Sequence, residues 1–252
     1  MEVFLKRCIN VAMVLLGETI TVYGQVDLSK FELGVNLGTY LYQGDLTPSA
    51  KGSFKTPGFG FMVYANRAVT ASFSLRTSLA VGSLKGDDGK FSDPSWRKQR
   101  NFSFKSPVFE ISELLVWNVL GKNSEKSLKG FSPYLFGGLG VSFLNITRDL
   151  SRYNAEYFAD EPHVQAGLNI DLAKRLPRAI PVFPIGIGIR YPLSPRFSVL
   201  AESSYRFTTT DYLDGFSQAA NPARKDQYAS HSVGIIYKFA GKNATDCPPL
   251  PK

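Results

Sequence analysis

Apolar and polar residues alternate with a period of two along most of the chain, and no long stretch sustains the 3.6-residue repeat of an amphipathic helix. In residues 31–41, Phe31, Leu33, Val35, Leu37 and Leu41 share one face, and Glu32, Gly34, Asn36, Gly38 and Tyr40 share the other. Residues 71–81 alternate as cleanly, with Phe73, Leu75, Leu79 and Val81 opposed to Ser72, Ser74, Arg76, Ser78 and Ala80. The same period recurs, with more noise, in residues 58–66, 106–119, 133–144, 184–191, 197–207 and 228–239. Eight such runs fit strands that cross a bilayer at a tilt. A soluble sandwich also alternates, so periodicity alone leaves both folds open.

Three features favour the membrane barrel. The polar face carries mid-strand charges of both signs, Glu32, Arg76, Glu110, Arg190, Glu202 and Arg206. They sum to zero, which suits a narrow lumen filled by ion-paired side chains, because an unpaired charge there would be costly. Connector length alternates too: residues 67–70 and 192–196 are short, whereas 42–57, 82–105, 145–183 and 208–227 are long. Residues 120–132 are intermediate. Outer-membrane barrels sort long loops outside and short turns inside in this way. Finally, the last run closes on Tyr237-Lys238-Phe239, a terminal aromatic of the kind that ends such barrels. The expected fold is an all-β, eight-stranded antiparallel transmembrane (outer-membrane) β-barrel spanning residues 25–240.

The ends refine this expectation. Lys6 and Arg7 precede the apolar run CINVAMVLL (residues 8–16), and Val22-Tyr23-Gly24 ends on a small residue, so residues 1–24 read as a cleaved signal peptide. A spanning helix needs about 20 apolar residues, and Glu18 interrupts the run too early. The signal removes as many acidic as basic residues, so the net charge stays at +8. That balance suits an anionic membrane surface or an acidic partner, and export makes nucleic acid the least fitting one. Cys8 leaves with the signal, and Cys247 stands alone in the polar tail, residues 241–252, where it reads as an exposed thiol rather than an intermolecular bond.

Candidate chemistry is sparse. TTTDYLDGFS (residues 208–217) offers two acids, hydroxyls, aromatics and a glycine. No histidine or third ligand stands close in sequence, so Asp211 and Asp214 read as caps of backbone amides in a turn closed by Gly215, with Arg206 as a nearby counter-charge. His231 shares the lipid-facing phase of Val233 and Ile235, but Ser230 and Ser232 point the other way, which leaves a lipid-modifying enzyme without a nucleophile. GDDGKFSD (residues 86–93) lacks the ligand spacing of a calcium loop and reads as a solvated turn. WRKQR (residues 96–100) suits either a grip on lipid phosphate or a solvated loop. Inward charges in so narrow a bore argue against an open pore. No catalytic residue, cofactor or metal is expected.

Two blocks carry a family resemblance. FELGVNLGTYLYQGDL (residues 31–46) is similar to the opening of a Bacteroidota family of outer-membrane β-barrels, and FPIGIGIRYPLSPRFSVLAESSYRFTTTDYLDGFS (residues 183–217) resembles that family's most distinctive block. Asp211, Tyr212, Leu213 and Asp214 form its signature loop. The family includes the PorG component of the type IX secretion system. The resemblance implies a non-enzymatic structural or docking component of that machinery, associated with periplasmic ring subunits of the PorK and PorN type. Phe216, Ser217 and the residues beyond depart from the family pattern. The alternatives are a barrel for surface adhesion or envelope integrity and, more distantly, a lipid-modifying barrel enzyme.

Overall fold

The computed structural model describes residues 28–48, 52–121 and 130–239; the expected signal peptide and the polar tail with Cys247 lie outside the described residues. A single turn of 3-10 helix, Leu28–Lys30, leads into β1 (Phe31–Gln43), β2 (Gly58–Ala68) and β3 (Phe73–Asp87). The helical turn α1 (Arg97–Arg100) then precedes β4 (Ser103–Asn118), β5 (Ser132–Leu144) and the short β6 (Thr147–Asp149). Helix α2 (Pro162–Ala173) is followed by β7 (Ala179–Pro192), β8 (Phe197–Thr208) and β9 (Gln227–Lys238).

Neighbouring strands pair antiparallel, β9 pairs with β1, and β3 pairs with β4, so the sheet closes on itself. β6 is not a further stave. Its pairing of Thr147 with Lys105 keeps the register in which Phe143 of β5 meets Phe109, so β6 continues β5 past a two-residue interruption. The expected eight-stranded antiparallel barrel is therefore the fold. Closure removes every edge, as a bilayer requires, since unpaired backbone groups find no water there.

The alternation read in the sequence becomes inside and outside. Leu139 is 64% exposed and Val233 65%, and with Leu37, Ile187 and Ile235 they form an apolar belt far larger than a soluble domain tolerates. Aromatic rings edge this belt, an arrangement typical of membrane barrels. At the short-turn end Phe73 stacks near Trp117, while Phe131 and Phe197 lie tilted against Tyr191 and Tyr237. At the other end Phe109 stacks on Phe143, and Phe183 pairs in register with Phe207.

Inside, large rings need glycine opposite them. Tyr64 lies over Gly34 and Tyr134 over Gly188, so closely that a β-carbon on either glycine would overlap the ring. The apolar core sits higher, above the belt at the long-loop end, where Leu46, Leu84, Phe102, Leu213 and Phe216 are fully enclosed.

Strands are longer than the alternation indicated. β3 runs to Asp87 and β7 begins at Ala179, which shortens the third and fifth connectors. β3 has 15 residues, roughly 50 Å of chain at 3.3 Å per residue. Even tilted, that overshoots an apolar band of about 25 Å, and the excess projects as a rim whose alternation is interrupted by Gly82, Gly86 and Lys85. Helix α2 was not anticipated. It buries Val164, Gly167 and Asp171 while exposing Ile170 and Leu172, so no apolar stripe announces it.

Candidate functional site: the filled lumen and the cap above it

The six mid-strand charges line the lumen as three ion pairs stacked along the axis. Nearest the short turns, Arg190 of β7 donates twice to Glu32 of β1, at 2.9 Å each. In the middle, Arg76 of β3 pairs with Glu202 of β8 at 2.6 Å. Highest, Arg206 of β8 pairs with Glu110 of β4 at 3.1 Å. Asn66 joins the lower two layers, donating to Glu32 and accepting from Arg76 Nε. Tyr134 and Asn36 also donate to Glu202, and Tyr228 to Glu110. The Arg76 guanidinium lies over the Tyr64 ring at 4.3 Å. Side chains thus fill the bore, as in other small barrels.

The mouth is closed by the loop that holds TTTDYLDGFS. Leu213 and Phe216 point down as a plug, with Phe216 stacked 4.5 Å from Phe102. Polar atoms hold the plug in place. Asp171 of α2 accepts the backbone N–H groups of Ser217, Gln218 and Ala219 and the Tyr212 hydroxyl. Asp226 accepts from Leu213 N–H at 3.0 Å, and Asp214 caps Phe216 N–H at 2.8 Å, one residue past Gly215 at φ +89°. The Tyr42 hydroxyl lies 2.6 Å from Asp214 and 2.7 Å from Asp226. One hydroxyl has one proton, so both contacts are hydrogen bonds only when one carboxyl is itself protonated. Burial, above all, pushes both carboxyls well above the usual range; the Asp226 charge adds to this at Asp214, and the Asp45 charge at Asp226.

The signature residues therefore divide. Asp214 caps an amide as read from the sequence, and Leu213 is part of the plug. Tyr212 meets Asp171. Asp211 caps no backbone amide: its carboxylate oxygens are buried, with the Ser217 side chain and the Lys225 charge bearing on them. Arg206 is no counter-charge to this loop, because its guanidinium is committed below to Glu110, Ser204 and Ser230. A contact between chain segments far apart decided this, and spacing could not reveal it.

WRKQR is neither a lipid grip nor a solvated loop. Arg97 and Arg100 are buried, both pair with Asp88 (2.7 and 2.6 Å), and both donate to the Asp45 carbonyl. Asp88 comes from GDDGKFSD, so the two motifs lock each other, and that turn is not solvated at Asp88. Among the described residues, no group of three His, Cys, Asp or Glu side chains is placed to hold a metal ion.

Two polar pairs interrupt the lipid face. His231 Nδ1 lies 3.0 Å from the Ser203 hydroxyl, its register partner on β8, and its ring stacks on Phe54. Sequence reasoning looked for a serine on β9 and missed one across the ladder. Glu113 lies on the outward face of β4, midway between Phe109 and Trp117 of the two aromatic rows, and accepts from Thr77 at 2.7 Å. A carboxyl at that depth is unfavourable. Replacing Glu113 with leucine is expected to raise the unfolding free energy in liposomes by about 1–2 kcal/mol. Urea titration would read this, and an unchanged value would place Glu113 outside the apolar zone.

A closed antiparallel barrel with a lipid-facing apolar belt, aromatic rows and a charged, filled lumen defines the class: this is an eight-stranded transmembrane β-barrel of the outer-membrane type. Residues 6–245 match the family described as "Domain of unknown function (DUF6089)", and the chain belongs to that family. No curated protein matches the sequence. Solved structures similar in fold include Neisserial surface protein A (14% identity, TM-score 0.46, covering 83% of this chain and 97% of that one). Another is a major outer membrane protein from Thermus thermophilus (12%, 0.45, 83% and 99%). A third is Ail of Yersinia pestis in complex with the heparin analogue sucrose octasulfate (12%, 0.43, 83% and 99%).

Proposed function

We propose that this protein is a non-enzymatic, non-conducting outer-membrane barrel, exported by a cleaved signal, that serves as a structural and docking component of a type IX secretion machinery. The observation that carries the non-conducting part is the three-layered ion-pair network, which fills the bore beneath a plugged mouth. A barrel that passes nothing is suited to anchoring other components. The secretion role rests on the resemblance of residues 31–46 and 183–217 to the Bacteroidota barrels. It assigns the short-turn end to the periplasm, where ring subunits of the PorK and PorN type would dock.

On this reading Ser203 and His231 form a cross-strand polar pair on the lipid face, and His231→Ala should leave lipid A and phospholipid acylation unchanged. Cross-linking in native envelopes, followed by pull-down of the barrel, is expected to recover the ring subunits. Recovery of the intact barrel without them would sink the secretion role. The second reading, surface adhesion or envelope integrity, draws on the ordered cap at the long-loop end and would then take its place.

A further inference from the structure

The two polar pairs of the lipid-facing wall stand on opposite sides of the barrel. Thr77 of β3 and Glu113 of β4 make one, and Ser203 of β8 and His231 of β9 make the other. Around the closed sheet β1 and β2 separate them on one side, and β5 and β7 on the other. Their depth matches as well. Glu113 follows Phe109 by four residues as β4 descends, and Ser203 precedes Phe207 by four as β8 rises. Phe109 and Phe207 belong to the same aromatic row, so both pairs sit roughly 13 Å of strand below it.

Each pair leaves one group unmet. Glu113 Oε2 accepts from Thr77 at 2.7 Å, and Oε1 has no hydrogen-bond partner among the described residues. His231 Nδ1 lies 3.0 Å from the Ser203 hydroxyl, and Nε2 has none. Water would serve both at a soluble surface. Acyl chains offer neither donor nor acceptor, so a carboxyl and an imidazole at this depth are costly until protein supplies the partner. Shape fits too. Leu139, the register partner of Glu113 on β5, stands out at 64% exposure. Beside His231, the side chains of Phe54, Ile185, Ile187 and Tyr205 line a groove of about 780 Å³.

We propose that copies of this protein associate side by side in the membrane, head to tail, with Glu113 of one copy accepting from His231 Nε2 of the next and Leu139 entering the groove. One proton shared between carboxyl and imidazole makes the pair neutral, which leaves no uncompensated charge in hydrocarbon. A two-fold contact would instead set Glu113 against Glu113, acceptor against acceptor. Because the two faces are opposed, every contact leaves one unused face of each kind, so association extends as a row in which all barrels point the same way. The inference is independent of the secretion role: either stands if the other fails.

The test uses the full chain with Cys8→Ser, which leaves Cys247 as the one thiol for labelling. Donor-labelled and acceptor-labelled protein is reconstituted together in phospholipid liposomes, and energy transfer is followed as lipid is added. Transfer by the otherwise unaltered protein should exceed that of random proximity and persist to about tenfold greater lipid dilution than transfer by Glu113→Leu or His231→Ala. Both variants alter outward side chains, and heat-modifiable gel mobility should stay unchanged. Mixing decides the geometry. Donor-labelled Glu113→Leu keeps the His231 face and acceptor-labelled His231→Ala keeps the Glu113 face, so together they should regain transfer that neither shows alone. Transfer no greater than random proximity in the unaltered protein, undiminished transfer in either variant, or no recovery on mixing would overturn the inference.

Discussion

Replacing Arg76 with alanine is expected to destabilise the barrel by about 3–5 kcal/mol, the usual cost of stranding one partner of a buried ion pair. Arg76 is completely enclosed. Its removal leaves Glu202 with donors from Asn36 and Tyr134 but without its charge partner. Asn66 loses the donor to its carbonyl, and the Tyr64 ring loses the guanidinium that covers it. The double variant Arg76→Met/Glu202→Leu removes both charges and should recover part of the loss, because an apolar pair avoids the charge desolvation cost but still strands Asn36, Asn66 and Tyr134. Urea unfolding in liposomes gives both values. A loss below about 1 kcal/mol for the single variant would show that water reaches the middle layer and screens it.

The cap is expected to loosen as pH rises. Burial pushes the Asp45 carboxyl up to about 6, and the Asp211 charge adds to this, opposed by Arg100, Arg224 and the N–H of Asn221. Asp214 and Asp226 are also held well above the usual carboxylate range, chiefly by burial, with the Asp226 charge adding at Asp214 and the Asp45 charge at Asp226, against the hydrogen bond from Tyr42. All three bind protons more tightly folded than unfolded. Their contribution is therefore complete below the ordinary carboxylate range, near pH ~4, and is lost as pH rises through the folded pKa values. The Asp45 displacement alone is worth about 2–3 kcal/mol.

A nitroxide at exposed Ala223 should become more mobile between pH 5 and pH 8. Asp226→Asn should flatten that response. An amide there accepts from Leu213 N–H and donates to the Tyr42 oxygen, leaving the Tyr42 proton for an ionised Asp214. Equal pH responses in the two proteins would separate cap mobility from this carboxyl pair.

Much of the barrel was legible because a closed sheet has only two faces. Period-two alternation assigns Leu37, Leu139 and Val233 to one and Glu32, Arg76 and Glu202 to the other, and lipid on one side makes that choice strict. Loop lengths then ordered the strands, since antiparallel neighbours joined by tight turns must be adjacent. Helix α2 escaped because it packs through Gly167 and Asp171 onto a loop and carries no apolar stripe. The Ser203–His231 pair escaped because cross-strand register joins residues 28 positions apart.

Residue order alone carries the staves, their inward and outward faces, the balanced set of lumen charges and the position of TTTDYLDGFS at the barrel mouth. These follow from local patterning and from the apolar thickness of a membrane. Barrel closure sets which charge meets which. It pairs Arg206 with Glu110 rather than with the loop, buries Arg97 and Arg100 on Asp88, and sets Asp214 beside Asp226 while burying Asp211. Those pairings join segments whose closeness depends on barrel closure and register, and strong short-range electrostatics acts only once that geometry exists.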